Sequence, residues 1–187
     1  MPSELWEFFW YNREMLNEIH SIAATCLQKR AKLKKVILGI FIALHTFGRN
    51  LKRNVHLHVS TTVKGISEDG QVLKTVFLNK AILMPMWRRR IIKLFRKASL
   101  EPGFVIPPSI KEKLNHTLTL NNLFDKLYKK DWIVDCQKPV ENHKHIIKYL
   151  GSYMKRPPIP ESKLRSDGDD HISFTYLDHK TKTYKDS

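Results

Sequence analysis

Val55-His56-Leu57-His58-Val59-Ser60-Thr61-Thr62-Val63 is the stretch on which the reading of this chain turns. Its β-branched content and bounded length make it a strand, and in a strand the side chains at i and i+2 leave the same face. His56 and His58 therefore project together and can converge on one ion. Imidazole is a good ligand for divalent transition metals, and oxygen ligands or water can complete the shell around Mn²⁺ or Mg²⁺. In a chain with 9 histidines such a pair also arises by chance, so the motif calls for a second component.

Working outward, residues 36–47 form an apolar run that predicts a second strand, separated from the first by the polar, basic stretch GRNLKRN at 48–54. A connection of that length most simply makes an antiparallel pair. A further strand is predicted over 72–78, after the turn-like Ser67-Glu68-Asp69-Gly70. Upstream, residues 3–35 carry apolar side chains at helical spacing, with Ser3 as a cap and Glu4 and Glu7 at the positive end of the dipole. Downstream, 87–98 reads as a helix with one apolar and one basic face, 102–108 breaks the pattern, and helix resumes over 114–130. A short strand over 132–137, a helix over 140–155 ended by Pro157 and Pro158, a last strand over 172–177 and a polar tail complete the pattern. Helices and strands mixed in this order read as an α+β class.

The 187 residues and 42% hydrophobic content suit one globular domain, or one domain carrying an appendage. The charge is less ordinary: 33 Lys and Arg against 18 Asp and Glu give +15, which calls for a polyanionic partner. Nucleic acid leads and an anionic membrane surface follows, since the apolar run 36–44 is far below the roughly 20 residues of a spanning helix. No signal-peptide pattern is present, and Cys26 and Cys136 form no CxxC, so neither a disulfide framework nor a cysteine-rich zinc site is expected, and a reducing cytoplasm is the default expectation.

The second component is the pair Tyr149 and Tyr153, four residues apart in the predicted 140–155 helix. Both phenols fall on one face, separated by about one turn, roughly 6 Å along the axis. Two aromatic core residues on an amphipathic helix are the ordinary alternative. Lys148, Lys155 and Arg156 crowd them.

An HxH strand, a YxxxY helix and a strongly basic chain together resemble the two-tyrosine HUH transposases of rolling-circle insertion sequences, relatives of replication initiators and relaxases. The likeness runs through Pro2-Ser3-Glu4-Leu5, Asn12-Arg13-Glu14, Leu44-His45-Thr46-Phe47-Gly48, His56-Leu57-His58-Val59 and Tyr149-Leu150-Gly151-Ser152-Tyr153-Met154-Lys155-Arg156-Pro157-Pro158-Ile159. It resumes at Ser162-Lys163-Leu164-Arg165 and Phe174-Thr175-Tyr176-Leu177-Asp178-His179-Lys180.

The resemblance implies an HUH endonuclease-like α+β fold, a central antiparallel sheet carrying the histidines with helices on its faces, in a single catalytic domain over 1–187, and His56 and His58 as ligands of a divalent cation, Mg²⁺ or Mn²⁺. It also implies Tyr149 and Tyr153 as nucleophiles that cleave and rejoin single-stranded DNA at transposon ends through 5′-phosphotyrosine links. His45 is the candidate third ligand, against a structural or outer-shell role, and Asn50 and Glu141 come after it. Arg49, Lys52, Arg53, Arg88, Arg89, Arg90, Lys93, Lys148, Lys155 and Arg156 are the candidate DNA contacts, with Trp87 or Trp132 as base-stacking residues or buried anchors. Members of the family begin with a cysteine-rich zinc-binding module and an additional strand and continue further, so a chain shortened at both ends is expected. The alternatives are a catalytically inactive DNA-binding remnant with the same fold and an unrelated basic RNA-binding protein.

Overall fold

The N-terminal helical pattern folds as two helices: α1 (Glu4–Tyr11) and α2 (Met15–Lys32). These lie in a computed structural model that describes residues 1–48, 50–114, 118–139, 147–148, 151, 163–166, 172–178 and 181–186. The break falls at Asn12, which is 1% exposed. Its side-chain amide donates to the carbonyls of Phe8 and Val105, and its oxygen accepts from the Val105 N–H, each at 2.8 Å. The interruption is thus made by a partner far along the chain, and the apolar spacing of the sequence continues across it without a proline or glycine. Ser3 occupies the cap position of α1, yet its hydroxyl turns to Glu4 and caps no backbone N–H.

The remaining elements are β1 (Ile40–Phe47), β2 (Arg53–Thr61), β3 (Lys64–Ile66), β4 (Leu73–Thr75), α3 (Lys80–Ala98), α4 (Pro108–Lys111), α5 (Leu120–Lys129), β5 (Leu164–Ser166), β6 (Ile172–Asp178) and β7 (Thr183–Asp186). The α+β class holds. The single central sheet does not appear among the described residues, whose strands pair as β1-β2, β3-β4 and β5-β6-β7. The strand expected over 132–137 is also absent: the Trp132 indole N–H donates to the Leu127 carbonyl at 3.0 Å, folding this segment back on α5. Conversely, the polar tail supplies β7, paired antiparallel with β6. Helix α3 starts before the expected 87–98 segment because the Asn79 side chain accepts from the Ile82 N–H at 3.0 Å, and the helix tolerates Pro85.

By contact pattern the chain divides into two compact units, Met1–Leu44 with Leu57–Pro139, and His45–His56 with Val140–Ser187. In the first, Phe95 of α3 meets Phe9 and Phe8 of α1 at ring centroid distances of 5.0 and 5.6 Å, and Phe124 of α5 at 5.8 Å. A second cluster joins Leu27 and Ala31 of α2 to Val36, Leu38 and Val76. There the Gln28 amide pairs with both backbone groups of Leu38, at 2.8 and 3.2 Å, in the manner of a neighbouring strand. Gly65 of β3 lets this layer close: a Cβ at that position would stand 2.6 Å from Val36 Cγ2 and 2.9 Å from the Ile37 carbonyl oxygen. In the second unit, β6 is the middle strand, with Leu164 opposite Phe174 and Leu177 opposite Tyr184.

Replacing Asn12 by alanine removes its two part-buried hydrogen bonds to the Val105 N–H and carbonyl, a loss of about 0.5–1.5 kcal/mol for each bond. Urea unfolding of Asn12→Ala at constant m-value should show a fall of that size; an unchanged midpoint would mean the clamp contributes nothing.

Candidate metal centre and basic surfaces

β1 and β2 are joined by residues 48–52, far too short for a parallel crossover, so the two strands form an antiparallel hairpin. Its turn is closed by the Gly48 N–H donating to the Lys52 carbonyl at 2.8 Å and the Leu51 N–H to the Gly48 carbonyl at 3.0 Å. Leu51 takes a left-handed φ of 53°, the conformation that a three-residue hairpin loop demands at its last position. At the far end of the hairpin the Thr62 N–H donates to the Gly39 carbonyl at 3.0 Å.

The hairpin gathers His45 from β1 with His56 and His58 from β2. One ligand atom of each lies within 4.8 Å of the others, and all three side chains are half-buried. The His45 and His56 rings meet edge to face at a centroid distance of 5.3 Å. His56 Nδ1 sits 2.8 Å from the Asn54 carbonyl oxygen. A carbonyl only accepts, so Nδ1 carries a proton, and in the neutral ring the lone pair open to a metal is therefore on Nε2. Burial, and then the charge of His56, hold the His45 pKa below its ordinary value, which favours the neutral imidazole. Sequence reasoning could find the three rings but not the Asn54 carbonyl, because a main-chain acceptor leaves no signature in residue type.

Of the other oxygen candidates, Asn50 turns its side-chain oxygen to the Lys52 N–H at 3.2 Å and thereby serves the turn. Glu141 lies outside the described residues, as do Tyr149, Tyr153, Arg49, Lys155 and Arg156. Lys148 is exposed within the helical residues 147–148. Lys52 is exposed in the hairpin turn, and Arg53, half-buried, opens β2.

On α3 the basic residues separate by surroundings. Arg88 donates to the Lys130 carbonyl at 2.9 Å and lies 4.8 Å from the centre of the Tyr128 ring. Arg96 pairs with Asp125 at 2.6 Å. Arg90 is half-buried toward α2, where its charge offsets part of the rise that burial imposes on the Cys26 thiol pKa. Arg89, Lys93 and Lys97 are exposed and recur every fourth residue, forming one stripe of positive charge. Of the two tryptophans considered for base stacking, Trp132 is 1% exposed and serves as an anchor, while Trp87 is half-buried.

Residues 39–187 match a protein-family profile described as "Putative transposase". Over 189 aligned residues the chain is 33% identical to the transposase for insertion sequence element IS801 of Pseudomonas savastanoi pv. phaseolicola, covering 99% of this chain and 45% of that protein. It is 27% identical over 147 residues to the putative transposase y4qJ of Sinorhizobium fredii (strain NBRC 101917 / NGR234), covering 76% of this chain and 37% of that one. The chain thus spans less than half the length of these relatives. No solved structure matches significantly.

The lowered pKa of His45 carries a pH dependence with a definite sign. The unfolded chain takes up the proton near the ordinary value of 6.5 while the folded chain does not. Stability contributed by neutral His45 is therefore complete above that pH and lost as pH falls below it, until the folded imidazole also protonates. Metal-free protein unfolded with urea between pH 7.5 and 5 should lose stability more steeply than His45→Gln; parallel curves for the two would refute it.

Proposed function

Because this chain belongs to the Y2 transposase family, we propose that it is a metal-dependent HUH nuclease that cleaves single-stranded DNA at transposon ends and transfers the strands through 5′-phosphotyrosine links. The observation that carries the reading is the convergence of His45, His56 and His58 to within 4.8 Å on one hairpin. Family membership is incompatible with the reading as an unrelated RNA-binding protein. The proposed unit is one HUH catalytic domain, and no described helix is long and apolar enough to cross a membrane.

The donor set fits a divalent cation. His45, His56 and His58 would hold it, with His56 oriented by the Asn54 carbonyl. Three nitrogen ligands favour Mn²⁺ over Mg²⁺, which prefers an oxygen shell. When bound, such an ion supplies Lewis-acid polarisation of the scissile phosphodiester and stabilises charge on the leaving oxygen.

Tyr149 and Tyr153 supply the nucleophiles. A phenol with an ordinary pKa of about 10 is mostly protonated at neutral pH, and the positive charge of Lys148, Lys155 and Arg156 favours the developing phenolate. The phenol oxygen bonds to phosphorus, the bond from phosphorus to the 3′ oxygen breaks, and the proton lost by the phenol is balanced by the one gained at the 3′ hydroxyl. A phosphoester is retained, so another 3′ hydroxyl can reverse the step and join strands without ATP. Two tyrosines allow two links in alternation.

Phosphates of the bound strand are drawn to Arg89, Lys93 and Lys97, with Lys52 and Arg53 as further contacts. Like charges four residues apart cost a helix about 0.2–0.5 kcal/mol per pair, so a ladder of three is explained by a polyanion that neutralises it. Arg88 and Arg96 have structural partners and contribute less.

Labelled single-stranded oligonucleotides carrying the element's ends, incubated with Mn²⁺ or Mg²⁺, should yield a protein-DNA adduct that survives denaturation. Tyr149→Phe/Tyr153→Phe should abolish it, and His56→Ala should lower its rate by on the order of 100-fold or more, since even outer-shell partners of a metal are worth 10–100-fold. Absence of an adduct on every end sequence leaves the non-catalytic DNA-binding remnant as the function. In the same system without metal, the Arg89→Gln/Lys93→Gln/Lys97→Gln variant should reduce the slope of log K against log salt by about 2, from roughly 0.7 per phosphate contact on single strands. An unchanged slope would remove α3 from the DNA path.

A further inference from the structure

The junction between α1 and α2 carries two large exposed aromatics that the metal centre and the basic stripe leave unused. Trp10 is 40% exposed and Tyr11 42%. Arg13, also exposed, holds its guanidinium carbon 5.6 Å from the centre of the Trp10 ring. Between them sits Asn12, buried and clamped to Phe8 and Val105 by three hydrogen bonds. Behind them Phe9 is buried against Phe95. The backbone that presents Trp10, Tyr11 and Arg13 is therefore fixed before any ligand arrives, which lowers the ordering cost of binding.

We propose that Trp10, with Arg13, forms a platform on which unstacked bases of single-stranded DNA stack, a role resting on the DNA-processing function proposed above. An aromatic face paired with a guanidinium is the surface chemistry that holds bases of a single strand, and it tolerates any sequence because every base has a π face. The local charge argues for bases over phosphates. Arg13 is followed by exposed Glu14 and Glu18, so this end of α1 lacks the uniform positive charge of the α3 stripe. Platform and stripe thus divide the strand between them chemically, one taking bases and the other phosphates. Trp87 and Trp132, considered for this role from sequence, are more buried than Trp10.

The test uses the Tyr149→Phe/Tyr153→Phe protein without metal, so that binding is read apart from cleavage, and compares oligothymidylate with an abasic oligonucleotide of equal length. Trp10→Leu keeps apolar bulk and removes the π face; it should bind oligothymidylate about tenfold more weakly with an unchanged salt slope, and Trp10→Phe should restore most of the loss. Affinity for the abasic strand should be the same in all three proteins. Equal binding of oligothymidylate by Trp10→Leu and its parent would overturn the platform, and so would an equal loss on the abasic strand, which would mark a structural effect. A parent that binds oligothymidylate through Trp10 while the protein with both tyrosines intact forms no adduct would refute the nuclease and leave the platform standing.

Discussion

Three imidazoles can meet on a two-stranded hairpin only because of two fixed spacings: side chains return to the same face every second residue, and neighbouring strands lie about 5 Å apart. The first brings His56 and His58 together and the second brings His45 alongside them. The turn at 48–52 fixes how β1 meets β2, and a slip of one residue would send the β2 pair to the other face. The left-handed Leu51, the Asn50 contact to the Lys52 N–H and the Gly48 pairing with Lys52 therefore act at a distance on the donor geometry. The convergence of the three rings depends on register as much as on residue identity.

Much of this was legible in the sequence because it follows from period. The His56-Leu57-His58 spacing, the apolar run ending near His45 and the short basic connection between them specify a hairpin and its converging rings. What was not legible depends on neighbours remote in sequence. Nothing local marks Asn12 as the end of a helix; its hydrogen bonds to Val105 do. Residues 132–137 have the composition of a strand, yet Trp132 finds burial and a hydrogen bond on α5 instead of a ladder.

The basic residues make the same point. Arg88, Arg89 and Arg90 are chemically identical and consecutive, and no composition argument separates them. Successive residues on a helix point about 100° apart, so one reaches Tyr128 and Lys130, the next faces solvent, and the third turns toward Cys26. A net charge of +15 announces a polyanion without saying which side chains meet it. The tyrosine pair, read from spacing alone, lies outside the described residues.

The group that sets the His56 tautomer is the main-chain carbonyl of residue 54. Substituting the Asn54 side chain leaves that acceptor in place, whereas replacing a carboxylate partner would erase it at a stroke. The proton on Nδ1 is thus insured against point mutation by the backbone itself. Drift at this position can alter solubility or contacts while Nδ1 keeps its acceptor. Retuning the imidazole would take a change in the path of the strand, which most single substitutions cannot make.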